Sequence, residues 1–522
     1  MEERPRRRTP DGDPGNNDPG FPEPGEEGAG DPAGRESIRR RTEALVMHDL
    51  DATSSLEAAT SDDLFFNGLS ADGGYLLDPM SPAELAALAA KLPFIEPMAV
   101  MPGVDVDDLG SAGWGVVTPE DGLPGEVREA IRPLLERRQM QADDLYHEMT
   151  YRHGETKRDF LARHQAGGAG PVAPERMPYY LLLIGDPVDI PFGLQYQLDT
   201  QHAVGRIWFD QPAGYSAYAQ AVLAAEDAAA APDGESKGCR SLVFFSVENP
   251  DDPATALSAR ELVPPLAAAL HTTDGWRVEI AADATRQGLR NLFCRKAVPR
   301  LLFTASHGIG FRPGSERQRP FQGALVCADW PGPKSWPRPI PREHYFAAED
   351  VPRGADLTGS LVFHFACYGA GTPRFDAFSH RKIGPPEEVA ERAFIAALPR
   401  RLLEAGAVGV FGHVERAWGA SFVWDGTRGQ PRAFEATLKR LMQGDRLGAA
   451  AESLNQRHAE LAVDFMELME EIRARDSATT RPTDPELGRV WTARNDARSW
   501  ILLGDPAARV SQSGPAEELQ SG

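Results

Sequence analysis

The chain has 522 residues, a formal net charge of −22 and 41 % hydrophobic residues. That length suits about two to four domains, and the apolar content suits a buried globular core. The excess of 77 acidic over 55 basic side chains argues against a general binder of nucleic acid or of anionic membrane. Four scattered cysteines (Cys239, Cys294, Cys327 and Cys367) form neither a disulfide framework nor a CxxC zinc pair. No apolar run approaches the roughly 18–20 residues of a membrane span. The basic start, Arg4 to Arg8, runs into Asp, Pro and Gly rather than an apolar stretch, so it does not read as a signal peptide. These features lead to the expectation of a soluble protein in a reducing, cytoplasmic compartment.

Residues 1–35 hold seven Pro and seven Gly and almost no large apolar side chains, so residues 1–40 are expected to be a disordered tail. A shorter tail is expected at 513–522. Residues 41–175 read as a mostly helical accessory region. Ser81 caps a helical pattern over Pro82–Leu92, and a further helix spans Gly125 to Arg138, resuming after a break through Asp143 to His164. Between them, Gly113–Pro119 is either a short strand or a loop. From Tyr179 the texture changes to short apolar runs alternating with helical patterns, which signals βαβ units and a parallel sheet. The expected strands are Tyr180–Ile184, Val204–Phe209, Leu242–Val247, Val278–Ile280, Arg300–Thr304, Leu361–Ala366, Ala407–Phe411 and Trp500–Leu503. The expected helices are Tyr215–Ala230, Ala254–Leu270 (broken at Pro264-Pro265), Thr285–Arg295, Glu387–Ala405, Ala433–Met442 and Arg446–Arg473.

In open parallel α/β sheets, ligands bind at the carboxyl ends of the strands. Ser306-His307-Gly308 follows one expected strand, Cys367-Tyr368-Gly369 another, Glu248-Asn249-Pro250-Asp251-Asp252 a third and Gly412-His413-Val414 a fourth. A His and a Cys at the ends of two buried strands are what covalent thiol catalysis needs. The imidazole raises the thiolate fraction and later protonates the leaving group, while the sulfur attacks a carbonyl carbon. Gly308 permits close backbone approach, so its N–H and that of Cys367 are candidates for an oxyanion hole. His413 is a rival base, His364 reads as a core residue, and Cys239, Cys294 and Cys327 read as structural. Asp186 and Asp505 are expected to fix the turns after their strands.

An apolar strand ending in His-Gly, followed 60 residues after the histidine by an apolar strand ending in Ala-Cys, resembles the caspase-like cysteine peptidases. Tyr179–Pro187, Val204–Ile207, Leu403–Val410 and the closing Leu502-Leu503-Gly504-Asp505-Pro506 are most similar to segments of the gingipain and CHAT branches. The resemblance covers about residues 178–512. It implies an α/β, caspase-haemoglobinase-like fold: a mainly parallel sheet flanked by helices, arranged as two tandem α/β subdomains at 176–235 (non-catalytic) and 236–512 (catalytic). It also implies that His307 is the general base and acid and Cys367 the nucleophile of a peptide-bond hydrolase, working through a thioester acyl-enzyme.

Metacaspases carry an acid two residues before the nucleophile, where Phe365 stands here, and Ser306 replaces the glycine often found before the histidine. Glu248, Asp251 and Asp252 are therefore the candidates for orienting His307 or lining the S1 pocket, with Trp418 as a candidate S1 wall. The dyad calls for no metal and no cofactor. The expected partner is a protein or peptide substrate, not nucleic acid or membrane, and the N-terminal region is a candidate docking place for a regulatory protein. Two other classes fit the same residues: a catalytically silent CHAT-like interaction scaffold, and a thiol amidase acting on a non-peptide substrate.

Overall fold

Ten strands assemble into one sheet, numbered here in chain order: β1 (Trp114–Pro119), β2 (Tyr146–Tyr151), β3 (Tyr180–Ile184), β4 (Ala203–Ile207), β5 (Ser241–Ser246), β6 (Arg277–Ile280), β7 (Leu301–Ala305), β8 (Leu361–Phe365), β9 (Gly409–His413) and β10 (Trp500–Gly504). The computed structural model describes residues 68–70 and 100–511, apart from 102, 168–169, 231–239, 296, 379–385, 424–430 and 476–484. The helix expected over Pro82–Leu92, both expected tails and Cys239 lie outside the described residues. Among the described residues, no helix is long and apolar enough to cross a membrane.

The strand order is β2-β1-β3-β4-β10-β9-β8-β7-β5-β6. Every neighbouring pair is parallel except β9 and β10. The sheet therefore consists of two blocks of opposite direction that meet at one antiparallel seam. The carboxyl ends of β5, β7, β8 and β9 share one edge, and the amino end of β10 arrives at that same edge. Helices cover both faces, so the central strands are buried throughout. Leu301–Ala305 and Leu361–Phe365 contain no exposed position, which is why they read as continuous apolar runs rather than as alternating ones.

The accessory region contributes to this sheet as well as to its cover. It supplies the helices Gly125–Ala142 and Lys157–Arg163, and also β1 and β2, which extend the sheet beyond β3. Gly113–Pro119 is thus resolved as strand from Trp114 onward. The helix expected through Asp143–His164 does not form as one element. Asp143 takes a φ of 47°, which ends the preceding helix, and Tyr146–Tyr151 then pairs in register with β1. Met149 and Tyr151 face inward between the exposed Glu148 and Thr150, so pairing along an open sheet edge prevails over helical spacing.

Four other stretches differ from expectation. The helical break near Pro264-Pro265 falls earlier, between Pro253–Glu261 and Val263–Leu270, because proline is tolerated in a first turn whose N–H groups have no partner. Ahead of the helix Ala397–Glu404, Phe394–Ile395 forms a short strand with Gly371–Thr372 instead of more helix. Arg446–Arg473 divides into Leu447–Ala450 and Glu452–Arg475, and an unanticipated helix, Pro485–Arg498, leads into β10.

Asp505, just past β10, does more than close its turn. It accepts the Ala507 N–H at 3.0 Å, as its position suggests, but also the Trp114 indole N–H at 3.0 Å and Arg138 Nε at 2.7 Å. Arg138 is fully buried and donates to Glu226 through both terminal nitrogens, at 2.5 and 3.1 Å. One carboxylate thus ties the first strand and its helix to the last strand. Breaking such a buried pair leaves a guanidinium short of a counter-charge, at a cost of about 3–5 kcal/mol. Asp505→Ala should therefore lower unfolding stability by that order in chemical denaturation; a loss below about 1 kcal/mol would contradict this role.

Candidate active site

The site follows from strand register. β7 and β8 pair in parallel with a constant offset, from Leu301 opposite Leu361 to Ala305 opposite Phe365. The Ser306 N–H continues the ladder to the Phe365 carbonyl at 3.2 Å. The chain therefore leaves the sheet at His307 and Cys367 side by side. Gly308 closes the approach: a Cβ on it would fall 1.7 Å from the Cys367 carbonyl oxygen and 2.9 Å from the Cys367 nitrogen. No side-chain rotation relieves an overlap with backbone, so glycine is required where the two strand ends meet. The far side of this turn is also paired, since Gly308–Gly310 carries Gly68–Ser70 as a parallel neighbour.

His307 is held from the end of β5. Asp252 caps the helix Pro253–Glu261 and accepts the Ala254 N–H and the Thr255 hydroxyl. Its Oδ2 also lies 2.5 Å from His307 Nε2, with both side chains fully buried. The turn carrying Asp252 is pinned by Asn249, whose amide donates to the carbonyls of Cys327 and Trp330, each at 3.0 Å. Trp330 in turn stands edge-on to the His307 ring, centroids 6.3 Å apart. Of the three acids at this strand end, Asp252 is the one that reaches the imidazole. Asp251, in a left-handed conformation at φ 57°, pairs with Lys334 at 3.2 Å on the surface, and Glu248 is exposed.

Cys367 is fully buried, and burial pushes its thiol up; the Ala417 N–H and the Arg416 charge act in the opposite direction. The Ala417 N–H points at Sγ over 3.2 Å. Trp418, the next residue, is buried against Phe378 with centroids 5.5 Å apart. Arg416 is buried too and is paired with Asp376 and Glu415. Burial, together with the nearby Asp376, lifts the Glu415 carboxyl to about 7, against the pull of Arg416. After the cysteine, Tyr368 adopts φ 58° and donates its N–H to the Glu415 carbonyl at 2.6 Å.

The other histidines and cysteines are placed differently. His413 packs edge-on to Trp500 at 4.1 Å, and its Nδ1 faces the Arg416 carbonyl at 3.2 Å. His364 sits 2.8 Å from the Thr304 hydroxyl. Burial lowers both imidazoles to about 3, so they are neutral near pH 7. Cys327 is buried, with its thiol raised by burial, while Cys294 is exposed. Among the described residues, no cluster of three or more His, Cys, Asp or Glu is arranged to hold a metal ion. Sequence reading missed two groups at this edge. The Ala417 N–H is a backbone donor with no residue signature. Asp496, which accepts the Trp418 N–H at 2.9 Å, lies on the helix that was not anticipated.

No protein-family model matches the chain, and no curated protein matches it. Solved structures with similar folds include one titled only as a protease (13 % identity, TM-score 0.41, covering 77 % of this chain and 80 % of that one). Another is the Arg-specific cysteine proteinase gingipain R (10 % identity, TM-score 0.39, covering 79 % and 80 %). A third is a chain of the Saccharomyces cerevisiae separase–securin complex (10 % identity, TM-score 0.26, covering 63 % and 16 %). Likenesses of this depth do not decide chemistry, which rests on the residues themselves.

The closest approach in the site gives a direct test. Gly308→Ala should force the two strand ends apart, lowering stability by about 1–3 kcal/mol and removing any activity that depends on the His307–Cys367 juxtaposition. Denaturant unfolding and thiol labelling check this. Wild-type stability together with wild-type reactivity would show that the close contact is dispensable.

Proposed function

We propose that this protein is a caspase-like cysteine endopeptidase, nearest in kind to the gingipain and CHAT branches, with Cys367 as nucleophile and His307 as general base and acid. The observation that carries the proposal is the buried Asp252–His307 contact at 2.5 Å, set at the strand end that register places beside Cys367. A buried carboxylate on Nε2 fixes the ring and stabilises the imidazolium, which makes Nδ1 the nitrogen that exchanges a proton with the thiol.

In the proposed reaction His307 takes the Cys367 proton and the thiolate attacks the peptide carbonyl carbon. The amides of Gly308 and Cys367 receive the resulting oxyanion. Collapse breaks the C–N bond, His307 protonates the departing amine, and a thioester remains on Cys367. Water, deprotonated by His307, then attacks the thioester, releasing the acid and restoring the thiol. His307 and Cys367 are both buried, so the reading requires the cover over the sulfur to open before a peptide enters. Trp418 is the proposed wall of the S1 pocket. Glu248 and Asp251 remain S1 candidates, and Asp252 takes the orienting role. A reducing, cytoplasmic setting suits unpaired Cys294, Cys327 and Cys367.

Cys367→Ala and His307→Ala are each expected to abolish hydrolysis of a P1-scanning peptide library while leaving circular dichroism unchanged; His307→Ala, which strands the buried Asp252 carboxylate, should also melt earlier. Asp252→Asn should lower kcat by up to about 10⁴-fold, the loss seen when the residue orienting a catalytic histidine loses its charge. Undiminished hydrolysis by Cys367→Ala would reject the proposal. Cleavage of small amides with no cleavage of peptides would favour the amidase reading.

A further inference from the structure

The segment after β9 makes contacts that the dyad does not explain. Ala417 and Trp418 direct consecutive N–H groups to two different acceptors, the Cys367 sulfur at 3.2 Å and Asp496 Oδ1 at 2.9 Å. Three residues on, the Ser421 hydroxyl donates to Asp496 Oδ2. Arg457 donates to the Ala420 carbonyl at 2.6 Å and stands 4.0 Å from the same carboxylate. His413 Nε2 lies 3.7 Å from its Oδ1. The Asp496 side chain is fully buried at the end of the helix Pro485–Arg498. It reaches the catalytic edge because β10 runs antiparallel to β9, so the helix feeding β10 ends where β9 ends.

We propose that Asp496 is a positioning residue for the nucleophile: it fixes the Ala417–Ser421 segment so that the Ala417 N–H stays aimed at the Cys367 sulfur. The proposal rests on the reading of Cys367 as the nucleophile. A hydrogen bond from an N–H is stronger to a thiolate than to a thiol, so a donor held on Sγ favours the reactive form. A buried carboxylate is expensive unless its oxygens are bonded, and both oxygens of Asp496 are engaged by the segment whose Ala417 N–H bonds the sulfur.

Charge and position act on the sulfur with opposite signs. Among the described residues, the charged groups acting on Cys367 are Arg416, Asp496 and Glu415. Burial lifts the Asp496 carboxyl to about 7, against the Arg457 charge and the hydrogen bonds from Ser421 and Trp418, so it is an anion at the alkaline pH where the sulfur ionises. There its charge disfavours the thiolate, and removing that charge alone would lower the pH at which the sulfur ionises. As a positioning group it keeps the N–H in place, so loosening it raises that pH.

The test uses the full-length protein and the variants Ser421→Ala and Asp496→Asn. Three quantities are read: the pH midpoint for alkylation of Cys367 by iodoacetamide, followed by mass spectrometry, and kcat and KM for a peptide that the wild type cleaves. Protection of buried Cys327 in the same digests reports an intact fold. The account expects the midpoint to rise by about 0.4 to 1 unit in both variants, the equivalent of one hydrogen bond. It also expects kcat to fall about 2- to 12-fold with KM unchanged. A midpoint that stays put in Ser421→Ala, or falls in Asp496→Asn, would overturn it. If the wild type cleaves no peptide, the peptidase reading fails, and the alkylation midpoints still decide this proposal.

Discussion

The parallel, in-register pairing of β7 with β8 is the constraint on which the rest of the site depends. Backbone hydrogen bonding fixes the offset between the two strands, and a slip by one residue would turn every buried side chain to the opposite face. With both faces of these strands buried, no such slip is available. The adjacency of His307 and Cys367 is thus enforced by the apolar core beneath them rather than by any attraction between the two side chains. Gly308 completes the constraint by allowing backbone against backbone where a methyl group would not fit.

Charge is handled by the same logic at both edges of the sheet. At the His307–Cys367 edge, buried Asp252 is satisfied by His307 and by the turn it caps, and buried Asp496 by the segment whose Ala417 N–H bonds the sulfur. Past the carboxyl end of β10, Asp505 joins Arg138 and Trp114, tying the last strand to the first strand and its helix. Each carboxylate holds together pieces of chain that are distant in sequence, and each would be costly to bury without those partners. The antiparallel seam between β9 and β10 links the two edges. Because of it, the helix before β10 delivers Asp496 to the His307–Cys367 edge, while the turn after β10 delivers Asp505 to the other.

Much of this was legible in the residues. Central strands such as Leu361–Phe365 are apolar at nearly every position because helices cover both faces, and that texture stands out from amphipathic helix. His307, Cys367 and the acids of the Glu248–Asp252 turn could be found as strand-end residues. Sequence could not separate Asp252 from Asp251 and Glu248, because the choice is made by the helix cap and by the left-handed backbone at Asp251. β2 was missed because Tyr146–Tyr151 becomes a strand by pairing along β1, a tertiary effect that local spacing does not report. The helix Pro485–Arg498 was missed because Thr492, Arg494, Asn495 and Asp496 are all buried polar residues, so the helix shows no clean apolar stripe. That same polar face carries the residue proposed to position the nucleophile.

The central claim is that Cys367 forms a covalent acyl-enzyme with the help of His307. Its most direct measurement is mass spectrometry of the intact protein after brief, acid-quenched exposure to a peptide ester. The account predicts an acyl adduct mapped to Cys367 in the wild type, none in Cys367→Ala, and strongly slowed formation in His307→Ala. Turnover without any adduct on Cys367, or the same adduct formed at full rate without His307, would contradict it.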